Sequence, residues 1–218
     1  MSNRDTICDL VRINLNRIDD DSSSHDLLMA DIATVANNRY RQLFEKRLWP
    51  ETMEFAIEDT IVADRQEVPL PDELSLITRI VIGDVELKAQ DGARQSDYEY
   101  YFTQRGCQGV WLHKAFTSDQ DALFDGKCVF SELSAKDEPI FDCSTILVNI
   151  VTADFLRLDE TDHARAVDFV NEANQAYNQL VERYESQMAN EKRVIPAAPF
   201  TDLREFSWNQ PGSTSTVF

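Results

Sequence analysis

Apolar residues recur at helical spacing in four stretches of this chain, and they alternate at strand spacing between the second and third stretch. The helical pattern predicts helices over about Thr6–Arg17, Asp26–Leu48, Pro139–Leu158 and Asp162–Glu191. The block Met53–Leu133 predicts five or six short strands separated by turn residues. No link between these strands is long enough for a crossover helix, so we expect antiparallel pairing.

The fold class that follows is α+β: a helical bundle with an inserted small antiparallel β-sheet block and an extended C-terminal tail. Residues 1–50 form the N-terminal helices of the bundle in this interpretation, and residues 51–136 form the inserted β block. Residues 137–191 form the C-terminal helix hairpin of the bundle. Residues 192–218 form an extended docking tail.

Two parts of this pattern predict which side chains are buried. In the first strand, Met53, Phe55 and Ile57 alternate with polar residues and are expected to share the buried face. The third helix is expected to bury an apolar stripe that begins at Ile140. The last strand of the block is predicted over Lys127–Leu133.

Charge excludes one class of function. Acidic residues outnumber basic ones by 39 to 21, which gives a formal net charge of −18. A nucleic-acid groove needs clustered lysine and arginine to neutralise phosphates, so this composition argues against one. Asp137–Glu191 alone carries twelve acidic residues and three arginines. Such a field repels DNA and anionic membranes, which suits a surface that DNA passes without adhering.

The residue types that carry catalysis are scattered. The histidines are His25, His113 and His163. None lies at the spacing of a zinc ligand pair, and no phosphate-binding or nucleophile-elbow motif occurs. The sequence therefore predicts no enzyme, no cofactor and no metal site. A hydrolase that uses Asp159, Asp162 and His163 stays open as an alternative, although a capped helix start explains the same residues.

The cysteines and one aromatic strand leave smaller alternatives. Cys8, Cys107, Cys128 and Cys143 form no CxxC pair, and we expect free, mostly buried thiols. Cys107 follows Arg105-Gly106, which leaves an activated thiolate open. The strand Tyr98–Phe102 alternates aromatic and acidic residues. Sheet core is the interpretation we favour there, and a base-stacking platform is the alternative.

The C-terminal tail is rich in aromatic residues but interrupted by prolines, so it is too broken to build a core of its own. Its candidate partner-binding residues are Phe200, Leu203, Phe206, Trp208 and Phe218. Bulky anchors on an extended segment are typical of a peptide that fills pockets on a partner. The alternative is that the tail folds back over its own domain.

The order of these elements resembles the head-to-tail adaptor (connector) proteins of tailed bacteriophages, including tail tubular protein A of short-tailed phages. Three stretches carry the likeness. The first is Arg47-Leu48-Trp49 followed by Phe55 and Ile57, and the second is Leu70-Pro71-Asp72-Glu73-Leu74 leading to Ile80 and Ile82. The third is the hairpin from Asp137-Glu138-Pro139 through Ala153 and Phe155 to Ala166, Ala173 and Leu180. It spans about Ile7–Glu191 and leaves the tail uncovered. The chain is also more acidic and its tail longer than the family leads one to expect.

The resemblance implies a structural virion protein without catalytic residues. Members of that family form rings, usually dodecamers, between the portal protein and the tail or nozzle protein, and DNA passes through the lumen without specific binding. The implied place is the head-tail junction of the virion, after assembly in the host cytoplasm. The first residues lack the pattern of a signal peptide, and no run approaches the ~18 apolar residues of a membrane span, which agrees with that expectation. A cytoplasmic scaffold or regulatory protein that binds a partner through its C-terminal tail is the alternative.

Overall fold

The computed structural model of the protein describes residues 2–15, 22–83, 85–89, 99–102, 109–158 and 162–191. Its helices are α1 (Arg4–Asn14), α2 (Ser22–Lys46), α3 (Ser144–Leu158) and α4 (His163–Glu191). Its strands are β1 (Met53–Ile61), β2 (Glu67–Pro69), β3 (Leu74–Ile82), β4 (Val85–Ala89), β5 (Glu99–Phe102), β6 (Gly109–Leu112) and β7 (Gln120–Cys128). All the strands lie between α2 and α3 in the chain, so the predicted α+β class is confirmed.

The helix α1 begins where a side chain satisfies its first free backbone donor. Asn3 is the N-cap, and its Oδ1 accepts a hydrogen bond of 2.9 Å from the Thr6 N–H. The buried residues of α1 are Ile7, Cys8 and Val11. Val11 follows Ile7 by four residues and Cys8 by three, so the three side chains share one side of the helix. Their side chains join the core between the helices.

The helices α3 and α4 form the predicted hairpin. The helix α3 is central, because consecutive residues from Ile146 to Ala153 are all buried. The helix α4 buries one stripe that includes Val170, Tyr177 and Leu180, as the helical spacing predicts. A bidentate pair joins α2 to this hairpin, since both Arg39 Nε and Nη2 lie 2.7 Å from the Asp154 carboxylate oxygens.

The third helix begins later than predicted. It starts at Ser144, not at Pro139, and Ile140 is 37% exposed, so the expectation that Ile140 is buried was wrong. The backbone of this stretch is bonded outside a helix: the Ile140 N–H donates to the Tyr40 hydroxyl at 3.0 Å. The Cys143 N–H donates to the Phe141 carbonyl at 2.7 Å. These bonds place Phe141, which is fully buried, in the core instead.

The strands form one sheet in the order β1-β7-β3-β4-β5-β6-β2. Its neighbours are antiparallel as predicted, with the exception of β4 and β5, which are parallel. The last strand was misplaced by the sequence pattern, since β7 spans Gln120–Cys128 and not Lys127–Leu133. This strand lies between β1 and β3. Its sequence pattern is weak because it contains Asp121, Asp125 and Gly126, and Asp and Gly are depleted in strands.

A bulge in β1 turns Phe55 outward. The register between β1 and β7 shifts between Glu54 and Ile57, and Ala56 adopts a left-handed backbone with φ of 56°. Its N–H donates to Asp125 Oδ1 at 2.8 Å, which holds the bulge in place. Phe55 is 54% exposed, so the prediction that it shares the buried face with Met53 was wrong.

Two hydrophobic cores result. The helical core is formed by α1–α4 together with Trp49, Leu133 and Phe141. In the part of the chain whose side chains are described, the sheet core is mainly aliphatic; its buried residues there are Ile61, Val68, Leu74, Ile77, Ile80, Leu87, Val110, Leu112, Ala122 and Phe124. The end of α2 and the end of β7 lie between them, and we call this region the joint.

Candidate interaction surfaces

The tail residues predicted to bind a partner, from Phe200 to Phe218, lie outside the described residues. The same holds for Cys107, for Tyr98 and for Asp159–Thr161. Three of the candidate chemical residues, His113, Asp162 and His163, lie within the described part of the chain. His25 is in α2, where only the backbone is described.

Asp162 stabilises the start of α4 through its carboxylate and its backbone carbonyl. Its carboxylate lies 3.1 Å from Arg165 Nη1, and its carbonyl accepts a hydrogen bond from the Ala166 N–H at 3.0 Å. Arg165 also donates to the Asn14 carbonyl at 2.8 Å, which ties the start of α4 to the end of α1. Among the described residues, no group of three His, Cys, Asp or Glu side chains could hold a metal ion.

The described cysteines are free thiols and are poor nucleophiles. Cys8 and Cys143 are buried, as predicted, and Cys128 is partly buried. Burial raises the pKa of the Cys8 thiol to about 11, against the attraction of Arg4. Burial also raises the pKa of Cys143 far above its ordinary range. Both thiols therefore stay protonated at neutral pH.

The joint is organised by Lys127, a buried cation that the sequence analysis did not single out. Its ammonium donates to the Phe44 carbonyl and, at 2.9 Å, to the Arg47 carbonyl. These carbonyls belong to the C-terminal end of α2, where a helix leaves acceptors unpaired and favours positive charge. The same Nζ lies 4.4 Å from the centre of the Phe44 ring. One side chain of β7 thus caps a helix of the other core.

Burial lowers the pKa of Lys127 to about 8, although the nearby Glu45 carboxylate and Cys128 raise it. Lys46, on the neighbouring turn, also has its pKa lowered to about 8 by burial. Its Nζ lies 5.3 Å from the centre of the Tyr177 ring. The joint therefore holds two amines that burial makes easier to deprotonate than ordinary lysines.

Aromatic rings extend the joint towards the end of α4. Trp49 stacks on Phe141 with ring centres 4.7 Å apart and planes inclined by 16°. Its Nε1 donates to the Leu43 carbonyl at 2.8 Å. Tyr184 packs against Trp49 and donates its hydroxyl to Glu51, and burial with this carboxylate raises the pKa of Tyr184. The end of α4 therefore lies beside the segment that leads into β1.

The exposed side of α4 is acidic. Asp168, Glu172 and Glu182 are exposed and make no ion pair with another described residue. Arg183, the basic residue nearest to them on this side, lies 3.0 Å from Asp142 and is compensated by it. This side of α4, which we call the acidic face, therefore presents uncompensated negative charge to whatever lies opposite.

The edge of the sheet at β1 is a second exposed surface. Among the described strands, β7 is the one partner of β1, and of the nine residues of β1 the buried ones are Met53 and Ile61. Glu54, Glu58 and Asp59 are exposed along it. The Thr60 N–H donates to Asp59 Oδ1 at 2.7 Å. We call the outer side of this strand the β1 edge.

A groove of about 460 Å³ lies between α1 and α2. Two of its polar lining residues, Asn37 and Arg4, are already hydrogen-bonded to the segment after β7. Asn37 accepts from the Leu133 N–H at 2.9 Å and donates to the Leu133 carbonyl at 3.3 Å. Arg4 donates to the same carbonyl at 3.4 Å and pairs with Asp5 at 3.3 Å. These contacts attach the segment after β7 to the helices.

No protein-family model and no curated protein matches this chain. Within the described part of the chain, none of the helices has the length and apolar character needed to cross a membrane.

Proposed function

We propose that this protein is a structural component of a tailed-phage virion, a head-to-tail adaptor that forms a ring between the portal protein and the tail. The acidic face of α4 is the observation that carries this proposal. One side of α4 is held in the helical core by Val170, Tyr177 and Leu180, and the other side offers uncompensated carboxylates. A channel for DNA needs a wall of that kind, because DNA adheres to a basic wall.

The architecture supports the same proposal. A rigid helical core with an inserted sheet offers two different surfaces, the acidic face and the β1 edge, which a subunit of a ring can direct to the lumen and to its neighbour. The aromatic tail follows α4 in the sequence and supplies anchors for a third contact. In this proposal the tail docks on the portal, and the protein has no enzymatic activity.

The first test is the mass of the full-length protein, measured by light scattering with and without the portal protein of the same virus. We expect a closed ring with the mass of about twelve subunits, visible as such by electron microscopy. A stable monomer or dimer that ignores the portal would overturn the proposal and favour a scaffold that binds one partner through its tail.

A second test concerns the tail. We expect deletion of Pro196–Phe218, which leaves Lys192–Ile195 in place, to keep the melting temperature almost unchanged while ring attachment to the portal is lost. A truncated chain that is unfolded in isolation would show that the tail belongs to the core of its own subunit.

The acidic face has its own test. Replacing Asp168, Glu172 and Glu182 by lysine should leave subunit folding intact, because all three side chains are exposed. The variant rings should retain DNA in a salt-dependent manner that wild-type rings do not show. Asp72→Lys with Glu73→Lys is the control, since these exposed acids lie in the turn before β3 and do not belong to α4. Equal DNA retention by the two variants would show that the acidic face does not line the lumen.

A further inference from the structure

We infer that the β1 edge binds the segment Lys192–Ile195 of a second copy of this chain as an added strand. This inference rests on the proposed ring, and it names the contact that joins neighbouring subunits. An edge strand carries backbone donors and acceptors that an extended segment can pair with. The β1 edge offers such groups along a strand of nine residues.

The charges along the edge select the occupant. Pairing of two β1 edges with each other is disfavoured, because it gathers the exposed carboxylates of Glu54, Glu58 and Asp59 from both copies along one seam. The exposed carboxylates of Glu54 and Glu58 make no ion pair with another described residue, so a basic strand would satisfy them.

The chain contains one segment of this chemistry directly beyond α4. Lys192-Arg193-Val194-Ile195 combines two positive charges with two β-branched residues, which are typical of strands. Residues 192–218 contain three basic and two acidic residues, so they are slightly positive, whereas the chain as a whole carries −18. The tail is therefore attracted by the acidic remainder of another subunit.

The position of α4 favours a neighbouring subunit as the acceptor. Tyr184 contacts Glu51, just before β1, and α4 continues for seven more residues to Glu191, which carries the chain about 10 Å further. Lys192 is the next residue in the sequence, whereas helix-to-strand connections within one unit typically take about 2–6 residues. An added strand that begins at Lys192 therefore favours the β1 edge of a neighbouring subunit over that of its own.

Charge reversal on each side of this contact provides the experiment. Glu54→Lys with Glu58→Lys should weaken subunit association about tenfold or more, and so should Lys192→Glu with Arg193→Glu. Combining all four substitutions should restore association to near the wild-type concentration dependence, measured by light scattering. Asp72→Lys with Glu73→Lys is the matched control and should assemble normally. Absence of rescue in the combined variant would overturn the inference.

Cross-linking identifies which copy is bound. A tagged Thr60→Cys chain mixed with an untagged Val194→Cys chain should give a reducible product with the mass of both. A single chain carrying both substitutions that cross-links internally, at concentrations where copies are separate, would assign the segment to its own β1 and overturn the inference.

The two proposals fail in different ways. If rings form equally well in every charge variant, the adaptor proposal is unaffected, but the β1 edge does not belong to the interface between subunits. If the wild-type chain forms no ring, with or without portal, the adaptor proposal is overturned. The cross-link between the tagged and untagged chains then decides the edge contact by itself: its presence supports the contact and its absence overturns it.

Discussion

The helical core and the sheet core differ in the side chains that fill them. The helical core buries six aromatic residues: Tyr40, Phe44, Trp49, Phe141, Tyr177 and Tyr184. Among the side chains that the structure describes, Phe124 is the one aromatic residue buried in the sheet core, which is otherwise aliphatic. Each aromatic side chain removes about 150–250 Å² from water, so the helical core has the larger hydrophobic stabilisation. We therefore expect the helical core to contribute more than the sheet core to the free energy of unfolding.

Trp49→Ala should have the largest effect, because it removes the ring that stacks on Phe141 and contacts Tyr177 and Tyr184. We expect a loss of about 3–5 kcal/mol in the free energy of unfolding, measured with urea. Leu158→Ala is the control, since Leu158 is 82% exposed and its loss should cost less than about 0.5 kcal/mol. Similar losses for both variants would contradict the view that the helical core dominates stability.

Gly126→Ala should come next and should act on the sheet. A Cβ at this position would lie 2.2 Å from the Leu76 carbonyl oxygen, so the backbones of β7 and β3 must separate. We expect a loss of about 1–3 kcal/mol and faster amide exchange in β3 and β7 than in α3. Gly83→Ala meets no atom within 4 Å but keeps a φ of +56°, and it should cost only about 0.5–1 kcal/mol. Equal exchange in helices and sheet would show that the two cores unfold as one unit.

Lys127→Met tests the joint between the two cores. The substitution keeps the volume but leaves the Phe44 and Arg47 carbonyls without their donor. We expect a loss of about 1–2 kcal/mol in the free energy of unfolding at pH 7.

The pH dependence of this loss follows from the pKa of Lys127, which is lowered to about 8 in the folded protein. The unfolded chain, with a pKa near 10.5, binds this proton more tightly, so wild-type stability rises with pH between about 8 and 10.5. The difference between wild type and Lys127→Met should therefore grow between pH 7 and pH 9.5. Lys46 contributes equally to both proteins and cancels. A difference that stays constant or shrinks would show that the amine is not buried at the joint.

Phe55→Ser should have the smallest effect on the isolated subunit. Because the bulge at Ala56 leaves Phe55 exposed, the change in the free energy of unfolding should stay within about 0.5 kcal/mol. Met53→Ser is the contrast, since Met53 is 8% exposed in the same strand and should cost more. A large loss in the free energy of unfolding for Phe55→Ser would show that Phe55 lies on the buried face, as simple alternation predicts.

The elements that could be predicted are those whose burial follows a single period. The buried stripe on α4 through Val170, Tyr177 and Leu180 follows helical spacing, and so do the buried residues Ile7 and Val11 of α1. The strand β7 and the side of Phe55 could not be predicted in the same way. A residue inserted by a bulge changes the face of a side chain, and the sequence does not show which residue is extra.

The candidate surfaces divide in the same manner. The acidity of α4 was visible in the sequence, because charge needs no contact to be counted. The β1 edge was not, since the order of strands in a sheet depends on pairings between distant segments. Lys127 gave no signal either: a lysine in a strand is ordinarily exposed, and its carbonyl acceptors are about eighty residues away in the chain.

The sequence by itself determined the four helices, the inserted sheet, the excess of acid and the aromatic tail, because each is a property of local spacing or composition. Only the tertiary structure decided that β7 lies between β1 and β3, that Lys127 caps α2 and that β1 is left at the edge. These features arise when residues far apart in the chain satisfy one another's backbone groups. Local pattern carries no record of such pairings, since many partners would satisfy the same donor or acceptor equally well.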